Sequence, residues 1–392
     1  MNLTRRRCLQ GLCLGLVGAP FLARANRPWI PTLGEVRLMR RWATGNQNLA
    51  PAALIEGHIL FAGEQTLGLI DPTAATPLWV RPHQLPGGAV FRPRAAAGTA
   101  ICAGRRELGV WGLESGEPIW RRGALRQLGV PCLDGDVLFL GDGHELIALD
   151  LASGSPHWRF TAIADTQISY APVATDDTVL IGPGDGRLYA LDRTNGQTRW
   201  VLNRSEDWQY LRQLQVAGNI LVAGGYTEKL YGIDLTSGTL LWSFSAGNFI
   251  NSHHVAGDTA FLWSPTGWLY AIDIHSGEVR WRHRTTGYRG GPQDWASLMA
   301  ELTSRDGRLY ALDLAHVLHV LDQSQGEEIA RYRLPAPARP FVLPLTAQEA
   351  IVGGNDGDLW LLALGDVPRH EELAPRSRDD GASAHLGHSG LD

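Results

Sequence analysis

Cysteine and histidine are the residues of this sequence that could do redox, acid–base or metal chemistry, and they are scattered. Cys102 and Cys132 remain after the first 25 residues, and we expect buried free thiols, a disulfide being the alternative. His316 and His319 flank a predicted hairpin without a matching pair of carboxylates, so no metal site is predicted there. No Ser-His-Asp arrangement or phosphate-binding loop is evident, because each glycine-rich stretch is typical of a hairpin between strands. The sequence therefore predicts no catalytic residue and no metal ligand.

Aromatic and arginine side chains, the types enriched at binding hot spots, gather in three long stretches of the second half of the chain. His253, at the end of one stretch, begins the pair His253-His254, and strand alternation points these side chains to opposite faces. For this pair a structural role is favoured over a ligand role. The alternative for the aromatic rings is that they tuck under their own loops. The residues predicted to bind a partner are Trp208, Tyr210, Arg212, Phe249, Asn251, His253, Tyr288 and Trp295.

The element that must position these loops is a repeated stretch of sequence. It reads ALDLASGSPHW from Ala148 to Trp158 and returns as ALDRTNGQTRW, GIDLTSGTLLW and AIDIHSGEVRW. Each copy has an aspartate, a glycine four residues later and a tryptophan four residues after that. Aspartate can accept hydrogen bonds from the backbone of a turn, and glycine can take the positive φ that the turn needs. Tryptophan can then wedge against a neighbouring sheet, so each copy is interpreted as strand, tight turn and strand.

Fainter copies extend the series in both directions. Downstream, VLDQSQGEEIA keeps Asp322 and Gly326 but has Ala330 where tryptophan is expected. Upstream, Trp42 looks like the tail of a unit whose head is missing. A period of about forty residues with strand-like content is typical of a propeller or another repeat array. The tryptophans predicted to dock one unit on the next are Trp42, Trp79, Trp120, Trp158, Trp200, Trp242 and Trp281.

The number of predicted strands indicates the architecture. We predict an all-β, eight-bladed β-propeller of four-stranded antiparallel blades, in which the strand around Trp42 completes the last blade beside Leu359 to Leu364. RLYALD at 308–313 is placed as a second strand, because Asp322 and Gly326 follow at the usual spacing. Three-strand sets fall near residues 50–71, 90–113, 130–150, 169–192, 212–234, 252–273, 297–322 and 341–364, and the eight outgoing strands are offset from them by one.

Both ends of the chain are expected to lie outside the propeller. Residues 1–25 are interpreted as an export signal, because arginines precede an apolar run that ends before the small-x-small site Ala23-Arg24-Ala25. The paired arginines favour a twin-arginine signal, with an ordinary secretory signal as the alternative. Residues 26–365 are expected to form the propeller. Residues 366–392 are expected to be a disordered tail, because their composition cannot bury a core.

The charge of the chain excludes some partners. The formal net charge is −5, and removal of the four arginines of the signal leaves −9. A net negative charge of this size is not typical of a protein that binds nucleic acid or an anionic membrane surface. The apolar run from Leu12 to Leu22 is too short for a comfortable membrane span. We therefore expect a soluble periplasmic protein, most simply a monomer.

The A-x-D-x-x-S/T/N-G-x-x-x-W spelling, with the sheet pattern before it, resembles the tryptophan-docking repeat of the pyrroloquinoline-quinone-type eight-bladed propellers. The resemblance covers nearly all of the mature chain. Within that superfamily, the chain length and the closure by the first strand look like the BamB-type outer-membrane assembly factors, which are scaffolds without a cofactor. One departure is that Leu12, rather than a small residue, precedes Cys13, so the lipoprotein anchor common in that branch is not expected.

The quinoprotein dehydrogenases, the other branch, are the alternative. They bind pyrroloquinoline quinone and calcium near the ring axis, and many carry adjacent cysteines that Cys102 and Cys132 cannot supply. A calcium site also needs converging oxygen ligands, and no acidic cluster lies where the inner strands begin. The resemblance thus implies a non-catalytic scaffold that needs no cofactor and binds a protein partner in the periplasm or outer membrane. A quinone-dependent or other periplasmic redox enzyme, or an accessory protein, stays open.

Overall fold

The described part of the chain is made of β-strands and turns, with no helix in it. The computed structural model describes residues 33–124, 126–163, 166–203, 211–225, 229–247, 253–264, 267–284 and 301–366. All of these residues belong to the unit Pro31–Asp392.

The strands follow one another in a regular order along the chain. The chain begins with β1 (Leu33–Gly34) and β2 (Val36–Trp42). Blades 1 to 4 then consist of β3 (Ala53–Ile55), β4 (His58–Ala62), β5 (Thr66–Ile70), β6 (Trp79–Pro82), β7 (Arg94–Ala96), β8 (Thr99–Ala103), β9 (Glu107–Gly112), β10 (Pro118–Gly123), β11 (Cys132–Asp134), β12 (Val137–Asp142), β13 (Glu145–Asp150), β14 (Pro156–Thr161), β15 (Val173–Ala174), β16 (Thr178–Ile181), β17 (Arg187–Asp192) and β18 (Thr198–Asn203). Blades 5 to 8 consist of β19 (Leu211–Ala217), β20 (Ile220–Gly225), β21 (Lys229–Asp234), β22 (Leu240–Ser245), β23 (His253–Ala256), β24 (Thr259–Trp263), β25 (Trp268–Asp273), β26 (Val279–Arg284), β27 (Thr303–Arg305), β28 (Arg308–Leu312), β29 (Val317–Asp322), β30 (Glu328–Arg333), β31 (Ala338–Pro344), β32 (Glu349–Gly354) and β33 (Leu359–Leu364).

Eight antiparallel sheets form the blades of a propeller. Blades 1 to 7 each take four consecutive strands, as in the order β11-β12-β13-β14 of blade 3. The first strands of successive blades contact one another, so they line the axis and the fourth strands lie at the rim. Blade 7 carries β1 as a fifth strand, which pairs in parallel with β30. The predicted all-β, eight-bladed architecture is confirmed.

The ring is closed by the N-terminal strand. β2 is the outermost strand of blade 8 and pairs antiparallel with β33, with Val36 opposite Leu364 and Trp42 opposite Leu359. This is the closure that the sequence predicts. β28 is the second strand of blade 7, so the placement of RLYALD is also confirmed.

The core lies between the blades rather than inside any one of them. The middle strands β12 and β13 are buried on both faces, which explains why their sequences are continuous apolar runs. Phe139 and Leu146 of blade 3 pack with Tyr189 and Leu191 of blade 4 in one such interface. The rim strand β14 alternates instead between exposed and buried residues, because only one of its faces meets a neighbouring blade. Each blade is therefore stable only beside another blade.

Candidate partner-binding face

Tryptophans on the rim strands hold the blades in register. Each indole N–H donates a hydrogen bond to a carbonyl in the turn of the next blade, as Trp158 does to Arg193 at 2.8 Å. Four of the rings are 9% exposed or less, and the other three are half-buried. The donor and acceptor residues are Trp42 and Ala74, Trp79 and Leu113, Trp120 and Leu151, Trp158 and Arg193, Trp200 and Leu235, Trp242 and Ile274, and Trp281 and Gln323.

The turn that receives each tryptophan explains the aspartate and the glycine of the repeat. In blade 4, Asp192 Oδ1 accepts hydrogen bonds from the backbone N–H of Thr194 at 2.9 Å and from its hydroxyl at 2.6 Å. These bonds, with an ion pair to Arg199, hold the pKa of Asp192 far below its usual range. Gly196 has φ +73°, and a Cβ there would lie 2.5 Å from Cε3 of Trp158. Glycine is therefore required twice, for its backbone conformation and for the close approach of the ring.

Blade 7 lacks a docking tryptophan because blade 8 lacks the turn on which it would dock. In blade 8 the rim strand comes from the N-terminus, so no turn joins β33 to it. Ala330 stands at the tryptophan position and is 7% exposed. In place of an indole contact, the Tyr332 hydroxyl donates to the carbonyl of Gly365 at 2.9 Å, and β1 pairs with β30.

Side chains of the inner strands link neighbouring blades around the axis. Gln213 Oε1 accepts from the backbone N–H of His253 at 3.0 Å, and Gln215 Nε2 donates to the His253 carbonyl at 3.0 Å. Between the next two inner strands, β23 and β27, His254 Nε2 lies 2.8 Å from Ser304 Oγ. These contacts join the inner strands of blades 5, 6 and 7.

His253 is the one predicted binding residue whose side chain the structure describes. The ring is 2% exposed and packs against Gly224, where a Cβ would lie 2.8 Å from Nδ1. Burial lowers the pKa of His253 to about 3, and the nearby backbone of Val222 opposes this only in part. The imidazole is therefore neutral and packs between blades 5 and 6.

The side chains of the other predicted binding residues lie outside the described part of the structure. Arg212 lies on β19, and its side chain is outside the described part. We call the side of the propeller with the loops from each rim strand to the next inner strand the entry face. The residues that lie outside the described ranges are Trp208, Tyr210, Phe249, Asn251, Tyr288 and Trp295.

Arginines mark the axial channel, a feature that sequence reasoning missed. A cavity of about 450 Å³ runs along the inner strands of blades 1, 2, 3, 7 and 8, and Arg92, Arg94 and Arg305 line it among apolar residues. Arg92 forms an ion pair with Glu301, and Arg305 donates to the Pro344 carbonyl at 3.1 Å. Arg94 forms neither an ion pair nor a hydrogen bond with any described residue, and its Nε is buried. Burial lowers the pKa of its guanidinium.

A second basic cleft, of about 510 Å³, lies on the entry face beside blade 2. Arg105 and Arg106, in the hairpin between β8 and β9, line it together with Arg126. The hairpin is held by the loop to blade 3, because Leu128 N–H donates to the Arg105 carbonyl at 2.8 Å. The guanidinium carbon of Arg105 lies 5.7 Å from the ring centre of Phe91, next to Arg92. The two basic cavities are thus neighbours.

The expectation that His319 has no carboxylate partners is wrong. Its Nδ1 lies 2.5 Å from Glu328 Oε1 and its Nε2 lies 3.2 Å from Asp313 Oδ2, in a buried cluster between blades 6 and 7. Arg331 pairs with the other oxygen of Glu328, and His283 Nε2 is 3.8 Å from it. Glu328 was missed because it faces His319 only across the pairing of β29 with β30. Among the described residues, no group of three or more His, Cys, Asp or Glu side chains could hold a metal ion.

Cys102 and Cys132 are both free thiols on the inner part of blades 2 and 3, and burial raises the pKa of each. Glu301, which precedes β27, forms an ion pair with Arg92. The described residues also contain no helix that is long and apolar enough to cross a membrane.

Comparison of the sequence with known families gives one match. A family described as outer membrane protein assembly factor BamB matches at residues 63–206, 104–246, 207–339 and 267–366. These overlapping matches run from β5, the third strand of blade 1, to β33, the third strand of blade 8, and cover well over half of the chain. Among curated proteins, none matches the chain.

Comparison of the structure with solved structures identifies the same fold at low sequence identity. BamB from Moraxella catarrhalis is 18% identical, with a TM-score of 0.61 over 87% of this chain and 100% of that chain. The designed protein Ika8 is 13% identical, with a TM-score of 0.70 over 84% of this chain and 100% of that chain. A quinohemoprotein alcohol dehydrogenase from Pseudomonas putida is 11% identical, with a TM-score of 0.63 over 88% of this chain and 78% of that chain.

Proposed function

The chain belongs to the family described as outer membrane protein assembly factor BamB, and on this premise we propose that it is a non-catalytic scaffold that binds a protein partner during assembly of the outer membrane or cell envelope. The observation that carries the proposal is the family match, which spans residues 63 to 366 and so includes every strand from β5 to β33. The proposal places the protein in the periplasm after export by the segment 1–25, as a monomer without a cofactor.

The geometry of the ring supports a binding role. The tryptophan docks and the bonds between inner strands hold the entry loops on a scaffold that is rigid and closed. Loops on a rigid scaffold are the usual place for recognition, because they can vary without cost to the core. The predicted partner surface, around Trp208, Tyr210, Phe249, Tyr288 and Trp295, lies in loops of this kind in the sequence.

Capture of a partner by variants of these loops tests the proposal. In cells, the full chain with a C-terminal tag should co-purify with an outer-membrane assembly protein, and Trp208→Ala or Trp295→Ala should reduce the amount captured at least fivefold. Ile119→Ala is the matched control, because Ile119 is 50% exposed on the rim strand β10, away from the entry loops. Thermal unfolding of the variants must match that of the wild type. Full capture by both tryptophan variants would remove these loops from the partner surface.

Titration with pyrroloquinoline quinone and calcium tests the enzyme alternative. The scaffold proposal expects no saturable uptake by the purified chain. Stoichiometric uptake with dye-linked oxidation of an alcohol or a sugar would establish a quinoprotein enzyme instead, and loss of that uptake on changing Arg212 would locate the quinone site.

A further inference from the structure

The charge of blade 2 runs against that of the whole chain. Residues 83–127 contain seven arginines and three glutamates, a formal excess of four positive charges, whereas the chain carries −5. Five of these arginines, Arg92, Arg94, Arg105, Arg106 and Arg126, lie on the channel wall or the entry face. A local excess of one sign inside a chain of the other sign concentrates the field at one place. A partner that meets this place should be locally acidic.

Arg94 is the channel arginine that has no ion pair or hydrogen bond with a described residue. A guanidinium in a largely buried place loses hydration, and this loss is normally compensated by a carboxylate or by several acceptors. Arg94 makes no ion pair or hydrogen bond with a described residue, and Glu301 attracts it only from a distance, whereas Arg92 pairs with Glu301 and Arg305 donates to a carbonyl. The Nε atoms of all three arginines are buried without a partner among the described residues. Since the cavity beside Arg94 has room for a ligand group, an incoming carboxylate could supply what the fold does not.

The shape of the basic surface favours an extended chain over a single small ion. The channel cavity of about 450 Å³ holds Arg94, and the outer cleft of about 510 Å³ holds Arg106 and Arg126. Between them, Arg105 stacks over Phe91, the residue before Arg92. The channel cavity is also lined by Thr303 and Ser304 and by apolar residues such as Leu54, Ile55 and Leu133. The apolar residues suit the aliphatic part of a glutamate side chain.

We propose that the track from Arg94 through Arg92 and Arg105 to Arg106 and Arg126 binds an acidic, extended segment of a partner polypeptide, one carboxylate of which enters the channel to pair with Arg94. This rests on the proposed function, which it deepens by giving the chemistry of the partner. A nucleic acid does not suit this track, because the negative charge of the rest of the chain repels a long polyanion. Charge-assisted bonds from arginine to carboxylate provide both the affinity and the register.

Fluorescence anisotropy with a labelled octaglutamate peptide and the full-length protein tests the inference. Saturable binding that weakens as salt rises is expected, with no binding of octaglutamine. Arg94→Gln should weaken binding about tenfold, the effect of one hydrogen-bonded charge. The double change Arg105→Gln and Arg106→Gln should also weaken it. Arg333→Gln is the matched control, since Arg333 is an exposed arginine on the rim strand β30 and should bind as the wild type does.

Two further readouts separate recognition from general charge effects. Without peptide, Arg94→Gln should unfold at the same temperature as the wild type or higher, because a partly buried charge that has no ion pair or hydrogen bond with a described residue is removed. Equal binding by Arg94→Gln and wild type, or displacement by inorganic phosphate beyond that by sodium chloride at matched ionic strength, would overturn the inference. Peptide binding without capture of an envelope partner would refute the proposed function alone. Partner capture that Arg94→Gln does not affect, together with no peptide binding, would refute this inference alone.

Discussion

Blade 3 joins blade 4 through the docking tryptophan Trp158, whereas blade 7 joins blade 8 without a tryptophan on its rim strand. At the first interface the indole donates to the Arg193 carbonyl and lies against Gly196. At the second, Ala330 occupies the same place in the repeat, and an apolar cluster with Tyr332 and Leu334 fills the interface. β1 adds a parallel strand to β30 at this point, so backbone pairing helps to hold blade 7 where an indole holds the others.

The difference between the two interfaces follows from how the ring is closed. A tryptophan dock needs a continuous turn between the third and fourth strands of the next blade, and blade 8 cannot provide one because β2 comes from the other end of the chain. Gly365 N–H donates instead to the Glu35 carbonyl at 2.9 Å, which ties the end of β33 to the segment between β1 and β2. A degenerate repeat therefore marks the closure point rather than a lost function.

Removal of residues 35–45 should give the largest effect. The deletion takes away β2, its pairing with β33 and the Trp42 dock to blade 1. We expect destabilisation beyond about 5 kcal/mol, the upper end for loss of one large core side chain. Chemical denaturation followed by intrinsic fluorescence measures this. An unchanged midpoint would show that the N-terminal strand does not hold the ring.

Trp158→Ala should have the next largest effect. It removes an indole that is 9% exposed, together with its hydrogen bond to Arg193, and should cost about 3–5 kcal/mol. Denaturant midpoints at constant m-value give the number. Val201→Ala is the control, because Val201 is 43% exposed on the rim strand β18, and it should change stability little. Similar losses in the two variants would contradict the docking role.

Gly196→Ala should cost about 2–3 kcal/mol, since it combines a positive φ with a clash against the Trp158 ring. Gly218→Ala separates the two causes. Gly218 also has a positive φ, +56°, but nothing lies within 4 Å of the position of its Cβ. Only strain of about 1 kcal/mol is expected there. The docking contact is measured by the difference between the two unfolding free energies, and a difference near zero would argue against it.

Ala330→Trp tests the closure side of the comparison. If a tryptophan stabilised any blade interface, restoring it in blade 7 would raise stability. We expect a loss of about 1–3 kcal/mol, because the site is packed and has no docking turn. Thermal and chemical unfolding of this variant distinguish a gain in stability from a loss. A gain in stability would mean that the closure interface can accept an indole after all.

Two buried histidines should give pH effects of opposite sign that are small near neutral pH. The pKa of His253 falls from 6.5 to about 3 by burial, so its stabilising effect is complete above pH 6.5 and is lost as the pH falls. For His319, burial alone lowers the pKa, but the bonds to Asp313 and Glu328 outweigh it and raise it above 6.5. Its contribution is therefore complete below pH 6.5 and is lost as the pH rises through the raised value.

Single variants read out these slopes. The destabilisation caused by His253→Gln should shrink by about 1 kcal/mol for each pH unit below 6.5, because in the wild type one proton binds to the unfolded state only. The cost of His319→Gln should instead shrink as the pH rises above 6.5. His283 and Arg331 also face the His319 cluster, so urea titrations of the wild type at each pH are the reference. Slopes of the same sign for both variants would contradict the assignment.

The sequence by itself determined the repeat, the turns and the closure. The spacing of Asp192, Gly196 and Trp200 is a local property, because turn hydrogen bonds and positive φ involve only a few successive residues. Repetition of that spacing sets the number of blades, and the unmatched Trp42 locates the closing strand. The part of the candidate site predicted from aromatic loops follows from composition alone, and it remains a prediction.

The tertiary structure decided which groups meet between blades and around the axis. His319 meets Glu328 through strand pairing, and the Trp281 dock at Gln323 joins residues 42 apart. Arg94, which looks like any other arginine in the sequence, is unusual only because the inner strands surround it and no described residue gives it an ion pair or a hydrogen bond. The physical reason is that burial and charge pairing depend on the distance between blades, and the spacing within one repeat does not encode that distance.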